Sequence, residues 1–208
     1  LVVGGVIIAV TGSNPFKAYY ALLQGSGLSP KSSYASYKSM LTDFMSYVNY
    51  FTPMIFAALA VAVALRAGLF NIGVSGQMLA AGFTASIVVG YSSLNAVLAK
   101  PLVVIIGLIV GGLVGALIGF LKYRFNINEV VSSIMLNYTF QYVISFFINT
   151  FFVDPVSRQS KEISAASRLT LMDTMVGNLK MDIPLGIILA LLTVVAVWFL
   201  LELSLIHI

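Results

Sequence analysis

The sequence predicts an all-α fold: a polytopic transmembrane helix bundle of about six membrane segments, one of them an interrupted helix. Three observations lead there. Of the 208 residues, 60% are hydrophobic and only 9% charged, and the mean hydropathy is +1.02. A soluble domain carries about 25% charged residues, which it needs to cover its surface. The apolar residues also fall in continuous blocks close to the roughly 20 residues that cross hydrocarbon as a helix. Backbone in lipid must satisfy its own hydrogen bonds, which leaves helices or a closed barrel. Blocks rich in Leu, Ala, Ile, Val and Gly without alternation select helices.

Leu1 to Val10 reads as the end of a first membrane helix or of a signal anchor, stopped by Thr11-Gly12-Ser13-Asn14-Pro15. Phe16 to Gln24 suits a short amphipathic helix at the membrane surface, and Gly25 to Ser39, rich in Ser, Gly, Tyr and Lys, reads as a flexible aqueous loop. Leu41 to Leu65 is a span with Pro53 inside it. Arg66 to Gln77 then breaks the hydrophobicity, and Met78 to Tyr91 resumes as an apolar helix too short to span comfortably. After a turn over Ser92 to Lys100, Pro101 to Leu121 is a span opened by proline, a good first helical residue. Lys122 to Glu129 is a short polar loop, and Val130 to Val153 is a span rich in Phe and Tyr. Asp154 to Asp182 is polar, with a surface helix expected around Ala165 to Val176, and Pro184 to Leu201 is the last span.

The short basic loop with Lys122 and Arg124 belongs in the cytoplasm by the positive-inside rule, and Arg66 falls on the same side. The segments 13–47 and 154–182 then lie outside. The chain opens on Leu1 within an apolar run and closes on Leu-Ser-Leu-Ile-His-Ile directly after a span. Both ends therefore read as truncations, the last few residues as non-native, and residues 1–208 as one transmembrane domain.

Several function classes drop out. With no cysteine there are no disulfides or thiolate metal sites, and a single histidine, His207, gives no basis for histidine metal or acid–base chemistry. The net charge of +4 is scattered and forms no basic stripe, so no nucleic-acid partner is expected. No paired carboxylates, nucleophile–base pair or phosphate loop is present, and neither an enzyme nor a cofactor is expected.

Three stretches carry information. Phe70-Asn71-Ile72-Gly73-Val74-Ser75-Gly76-Gln77 places two glycines and several amide or hydroxyl groups between apolar helical runs. Glycine costs about 1 kcal/mol against alanine within a helix. Gly73 and Gly76 therefore mark a turn or a close approach of another helix. Unwound backbone at membrane depth is tolerated only within protein or along a wet cavity. A plain cytoplasmic turn capped by Asn71 is the alternative.

Asn126 to Tyr138 contains Asn128, placed to cap the following helix, and Glu129, which suits the helix dipole in its first turn. Asn137 lies about two turns further in, where an unpaired amide is costly. It shares a face with Ser133, so both should meet another helix or a cavity, either as interhelical glue or as a solute contact. Gly111, Gly115 and Gly119 repeat every fourth residue and form a small-residue stripe for close helix packing.

Taken together, these stretches resemble the permease subunits of bacterial ABC importers, the group serving ribose and other simple sugars, nucleosides and branched-chain amino acids. Asn14-Pro15-Phe16-Lys17-Ala18-Tyr19 looks like the family's early Asn-Pro…Ala-Tyr segment. Arg66 to Gln77 looks like its Phe-Asn-Ile-Gly-Ala-Glu-Gly-Gln signature, and Asn128 to Tyr138 like its Asn-Glu-Val…Met-Leu-Asn-Tyr signature. The resemblance extends to about Leu201 and is greatest to the nucleoside permeases. Ser75 departs from it, standing where that subgroup carries Glu. The family also continues past this C-terminus, into the segment that docks on the ATPase.

The resemblance implies a multi-pass protein of the bacterial cell membrane and a set of partners. An extracellular substrate-binding lipoprotein delivers a small polar solute, a second permease subunit completes the pathway, and a cytoplasmic ABC ATPase hydrolyses ATP. It makes Asn71, Ser75, Gln77 and Asn137 the candidate pathway residues, since amides and hydroxyls can hydrogen-bond a neutral polar solute. Within this class a simple-sugar or branched-chain amino-acid importer is the alternative. Outside it stand an ion-gradient carrier, which would usually keep ionisable groups in its spans, and a membrane scaffold.

Overall fold

The computed structural model describes residues 1–203, so Ser204 to Ile208, including His207, lie outside the described residues. The chain forms two compact units: Leu1–Ile55 with Thr170–Leu192, and Phe56–Leu169 with the chain from Thr193 onward.

In the first unit, helix α1 spans Val2–Val10 and α2 spans Pro15–Gly25. The Asn14 side chain starts α2 by accepting from Phe16 N at 2.9 Å and Lys17 N at 3.4 Å, and Pro15 at the first position gives up no bond a helix would use. Tyr19 of α2 lies against Gly4 and Gly5, and a Cβ on Gly5 would stand 3.0 Å from its hydroxyl. Helix α3, Met40–Arg66, begins in this unit. The segment expected to be a flexible loop is tied down. Lys31 pairs with Asp43 at 2.5 Å, Gln24 Nε2 donates to Pro30 O at 2.9 Å, and Gly27 presses its backbone onto the first turn of α3.

The surface helix expected around Ala165 to Val176 is not formed. A single 3₁₀ turn, Ala165–Ser167, is followed by strand β1, Thr170–Val176, paired antiparallel with β2, Leu179–Pro184. The reason is local. Gly177-Asn178 is a two-residue hairpin turn, and Gly177 adopts φ +63°, which reverses the chain where a helix would need to continue. A bulge between Leu171 and Thr174 puts Asp173 at φ +56°, held by its N–H to Asp182 Oδ1 (3.0 Å) and by Lys180 (3.0 Å). The hairpin joins its own unit through Thr170 Oγ1 to Asn49 Oδ1 at 2.6 Å and Lys180 N to Tyr37 O at 2.9 Å. Helix α7, Gly186–Leu203, follows it.

The second unit takes the C-terminal part of α3. Gly68 at φ +71° ends that helix, with Leu69 N returning to Ala64 O at 2.9 Å and Gly68 N to Leu65 O at 3.0 Å. Helix α4, Val74–Ala85, loosens into a π-helical turn over Ser86–Gly90. Helix α5, Ala96–Phe125, starts earlier than Pro101 because Asn95 caps it, accepting from Leu98 N at 3.1 Å; Pro101 is absorbed in the second turn. Asn126, at φ +53°, ends α5 in the left-handed conformation that asparagine tolerates. Helix α6, Glu129–Phe147, also runs into a π turn, Ile148–Phe152. Helix α4 packs against both α5 and α6.

Among the described residues, three helices are long and apolar enough to cross a bilayer: Met40–Arg66, Ala96–Phe125 and Glu129–Phe152. Their surfaces carry bare aliphatic side chains, such as Leu108 (71% exposed) and Leu113 (64% exposed) on α5, which water would penalise and acyl chains accept. The molecule is a polytopic membrane helix bundle.

Candidate functional site: a helix break sealed by Asn137

Between Arg66 and Val74 the chain leaves one helix and starts another, and α4 opens with orphan backbone N–H groups. Asn71 takes one of them, its Oδ1 accepting from Gly73 N at 2.8 Å. Asn137 takes another from the neighbouring helix. Its Oδ1 accepts from Gly76 N at 2.8 Å, and its Nδ2 donates to Ile72 O at 3.0 Å. One amide on α6 thus repairs a donor and an acceptor that the break leaves open.

The glycines make this contact possible. A Cβ on Gly76 would stand 2.6 Å from Asn137 Oδ1 and 3.2 Å from Asn137 Cα, and one on Gly73 would stand 2.7 Å from Ile118 Cδ1. Ser133, one turn before Asn137, is fully buried beside Gly73, and its hydroxyl has no hydrogen-bond partner among the described residues. Asn137 and Ser133 therefore face the start of α4 together, as their spacing requires.

Asn71 and Gln77 line a small cavity of about 110 Å³ with Gly115, Gly119, Lys122 and Glu129. The Gln77 amide nitrogen lies over Gly115, 3.3 Å from where a Cβ would be. Its side chain makes no hydrogen bond among the described residues, so it can offer both a donor and an acceptor to the cavity. Lys122 Nζ pairs with Glu129 Oε2 at 2.8 Å across the α5–α6 turn. The pair fixes the geometry of the turn more than it adds stability. Ser75 points away, exposed on α4 and outside this cavity. Along the glycine stripe, Gly115 meets Gln77, whereas nothing lies within 4 Å of a Cβ built at Gly111 or Gly119.

Asn128 caps α6, accepting from Val130 N at 2.9 Å and Val131 N at 3.4 Å. Replacing it with alanine is expected to cost about 1 kcal/mol, or roughly 2–4 °C in the melting midpoint of the purified full-length protein. An unchanged midpoint would show that water replaces the cap without loss.

The sequence reading passed over a second cavity of about 570 Å³, bordered by Phe83, Tyr91, Phe152, Gln159 and Glu162. A span rich in Phe and Tyr gives no sign of it, and no local pattern shows that the two π turns open beside one another.

A helix break sealed by a neighbour's amide, among long apolar helices that expose aliphatic side chains, is the build of a polytopic membrane protein, in which unwound backbone is sheltered within protein. The chain belongs to the family described as branched-chain amino acid transport system / permease component, whose family model matches residues 44–205. It is 34% identical over 185 residues to the guanosine ABC transporter permease protein NupP of Bacillus subtilis, covering 86% of this chain and 52% of that protein. It is 32% identical over 205 residues to the nucleoside ABC transporter permease protein NupB of Lactococcus lactis, covering 94% of this chain and 53% of that protein. Identity to the glucose ABC transporter permease protein TsgB13 of Haloferax volcanii is 28% over 148 residues, covering 71% of this chain and 36% of that protein. The chain spans about half the length of the two nucleoside relatives. No solved structure matches it.

Proposed function

We propose that this chain is part of the membrane-spanning permease of an ATP-driven importer and contributes to the pathway of a nucleoside or related small polar solute. The observation that carries the reading is the sealed break. Residues 70–77 and 128–138, far apart in sequence, meet in one hydrogen-bonded junction beside a cavity into which Gln77 presents a free amide. Asn71, Gln77 and Asn137 belong to that junction, and Ser75 borders it from the exposed side of α4.

ATP hydrolysis falls to a cytoplasmic partner subunit, a second permease subunit completes the conduit, and an extracellular lipoprotein presents the solute. The work of the permease is then differential binding of these partners in outward-open and inward-open conformations. The setting is a bacterial cell membrane, crossed several times.

The test is uptake by the full-length protein with its partner subunits in proteoliposomes. Adenosine or guanosine uptake should require ATP and persist after proton and sodium gradients are collapsed. Uptake that follows a gradient and ignores ATP would assign the chain to the ion-driven carriers instead. Competition by glucose or leucine, but not by nucleosides, would move the substrate to the sugar or amino-acid branch.

A further inference from the structure

We infer that the larger cavity of the second unit is a solute-binding subsite, selective for a molecule with a flat heteroaromatic ring at one end and hydroxyl groups at the other. This rests on the transport reading above and adds the place and chemistry of recognition. At about 570 Å³ the cavity lies within the usual range for small-molecule sites. Both π turns border it: Ser86 and Ile87 come from one, Ile148 and Phe152 from the other. π turns inside α-helices recur at functional sites because the extra residue displaces side chains from the regular helical face.

The lining combines aromatic and polar groups. Tyr91 and Phe152 stack with ring centres 5.3 Å apart and planes within 6°, and Phe83 meets Phe152 edge-on at 6.3 Å. Tyr91 is fixed further by its hydroxyl, which donates to Lys161 O at 3.3 Å, so the segment that carries Gln159 and Ser160 adjoins the ring stack. A braced, partly exposed ring stack holds its conformation before a planar guest arrives, at little entropic cost. Polar groups complete the lining. The side chains of Ser86, Gln159 and Ser160 make no hydrogen bonds among the described residues and remain available.

The charged groups argue against a zwitterion. Glu162 and Arg168 are engaged with each other at 2.9 Å, so no carboxylate is left to hold an ammonium without breaking that pair, and Lys161 could answer only the carboxylate end of such a molecule. A bare sugar would use the polar groups and leave the aromatic rings largely unmatched. A nucleoside fits both, its base against Tyr91 and Phe152 and its ribose hydroxyls toward Gln159 and Ser160.

The experiment uses the full-length protein with its partners and three probes: adenosine, ribose and leucine. Tyr91→Leu and Phe152→Leu should each raise the half-saturating adenosine concentration about ten-fold with the maximal rate retained, as base–aromatic stacking energies imply. Phe152→Tyr keeps a ring and should raise it less than Phe152→Leu does. A second readout does not depend on how those variants fold. The chain contains no cysteine, so Ser160→Cys supplies a unique label in this region. Adenosine should slow its reaction with a membrane-impermeant maleimide, whereas ribose and leucine should not.

Unaltered half-saturation in both leucine variants, or labelling of Ser160→Cys indifferent to adenosine, overturns the subsite. If the leucine variants fail to accumulate, protection of the cysteine decides alone. ATP-driven import of ribose or leucine without adenosine overturns the subsite and spares the permease reading. Import of none of the three overturns the permease reading itself.

Discussion

Asn137→Ala is expected to lower the stability of the full-length protein by about 2 kcal/mol and to abolish most of its uptake. The variant strips Gly76 N–H and Ile72 C=O of their partner together. Each unsatisfied buried polar group costs about 1–3 kcal/mol in a water-soluble protein. Interhelical hydrogen bonds in membranes average nearer 0.6 kcal/mol, with a maximum of about 1.7, because side chains in the unfolded state find other partners. Here the Gly76 N–H is buried at a helix break and takes the upper part of that range, whereas Ile72 is exposed and its C=O takes the average. Thermal unfolding in detergent, followed through Trp198, reads the stability, and ATP-dependent adenosine uptake reads the function. A variant with wild-type melting and transport would mean that the break seals itself.

The same junction provides an internal control. Gly76→Ala drives a methyl group to 2.6 Å from Asn137 Oδ1 and should be damaging alone. In the double variant the offending oxygen is gone, so the combined loss should fall short of the sum of the single losses. Additivity would place the two residues in separate interactions.

Gly27→Ala is expected to destabilise the first unit by about 3 kcal/mol or more, enough to deplete the protein from the membrane. Two penalties combine. At φ +72° a side chain costs about 1–2 kcal/mol. The added Cβ would also lie 2.3 Å from Phe44 N and 2.7 Å from Met40 O, both of them backbone atoms that cannot rotate away. Overpacking of that kind costs about 1–3 kcal/mol in its own right. Expression level and melting midpoint measure the effect. Gly12→Ala shares the positive φ but meets nothing within 4 Å, and should be much milder. Equal damage at both positions would attribute the loss to φ and not to contact.

Much of the bundle was legible because hydrocarbon imposes a strict code. The apolar blocks of α3, α5 and α6 announce themselves by length, and Asn128 stands where a cap must be. The hairpin was missed although its signal was present. Ala165, Ala166, Leu171 and Met172 favour a helix, and that propensity outweighed Gly177-Asn178, a two-residue turn with its own mechanism. At the site, the sequence established that Asn137 needs a partner but not which one, since a side-chain period fixes a face and not its neighbour. The glycine stripe shows the same limit: spacing puts Gly111, Gly115 and Gly119 in one row, yet among the described residues Gly115 alone of the three is met, by Gln77. The π turns have no local signature, so the cavity between them emerges only from the packing of α4 against α6.

The distance along the chain between Gly76 and Asn137 has a consequence for biosynthesis. They are 61 residues apart. At the roughly 5–20 residues per second of translation, the peptide group at Gly76 is made several seconds before the amide that satisfies it. Acyl chains offer no substitute. The nascent segment must therefore wait in a hydrated conduit until its mate is synthesised, and the two helices partition from the insertion machinery as a couple.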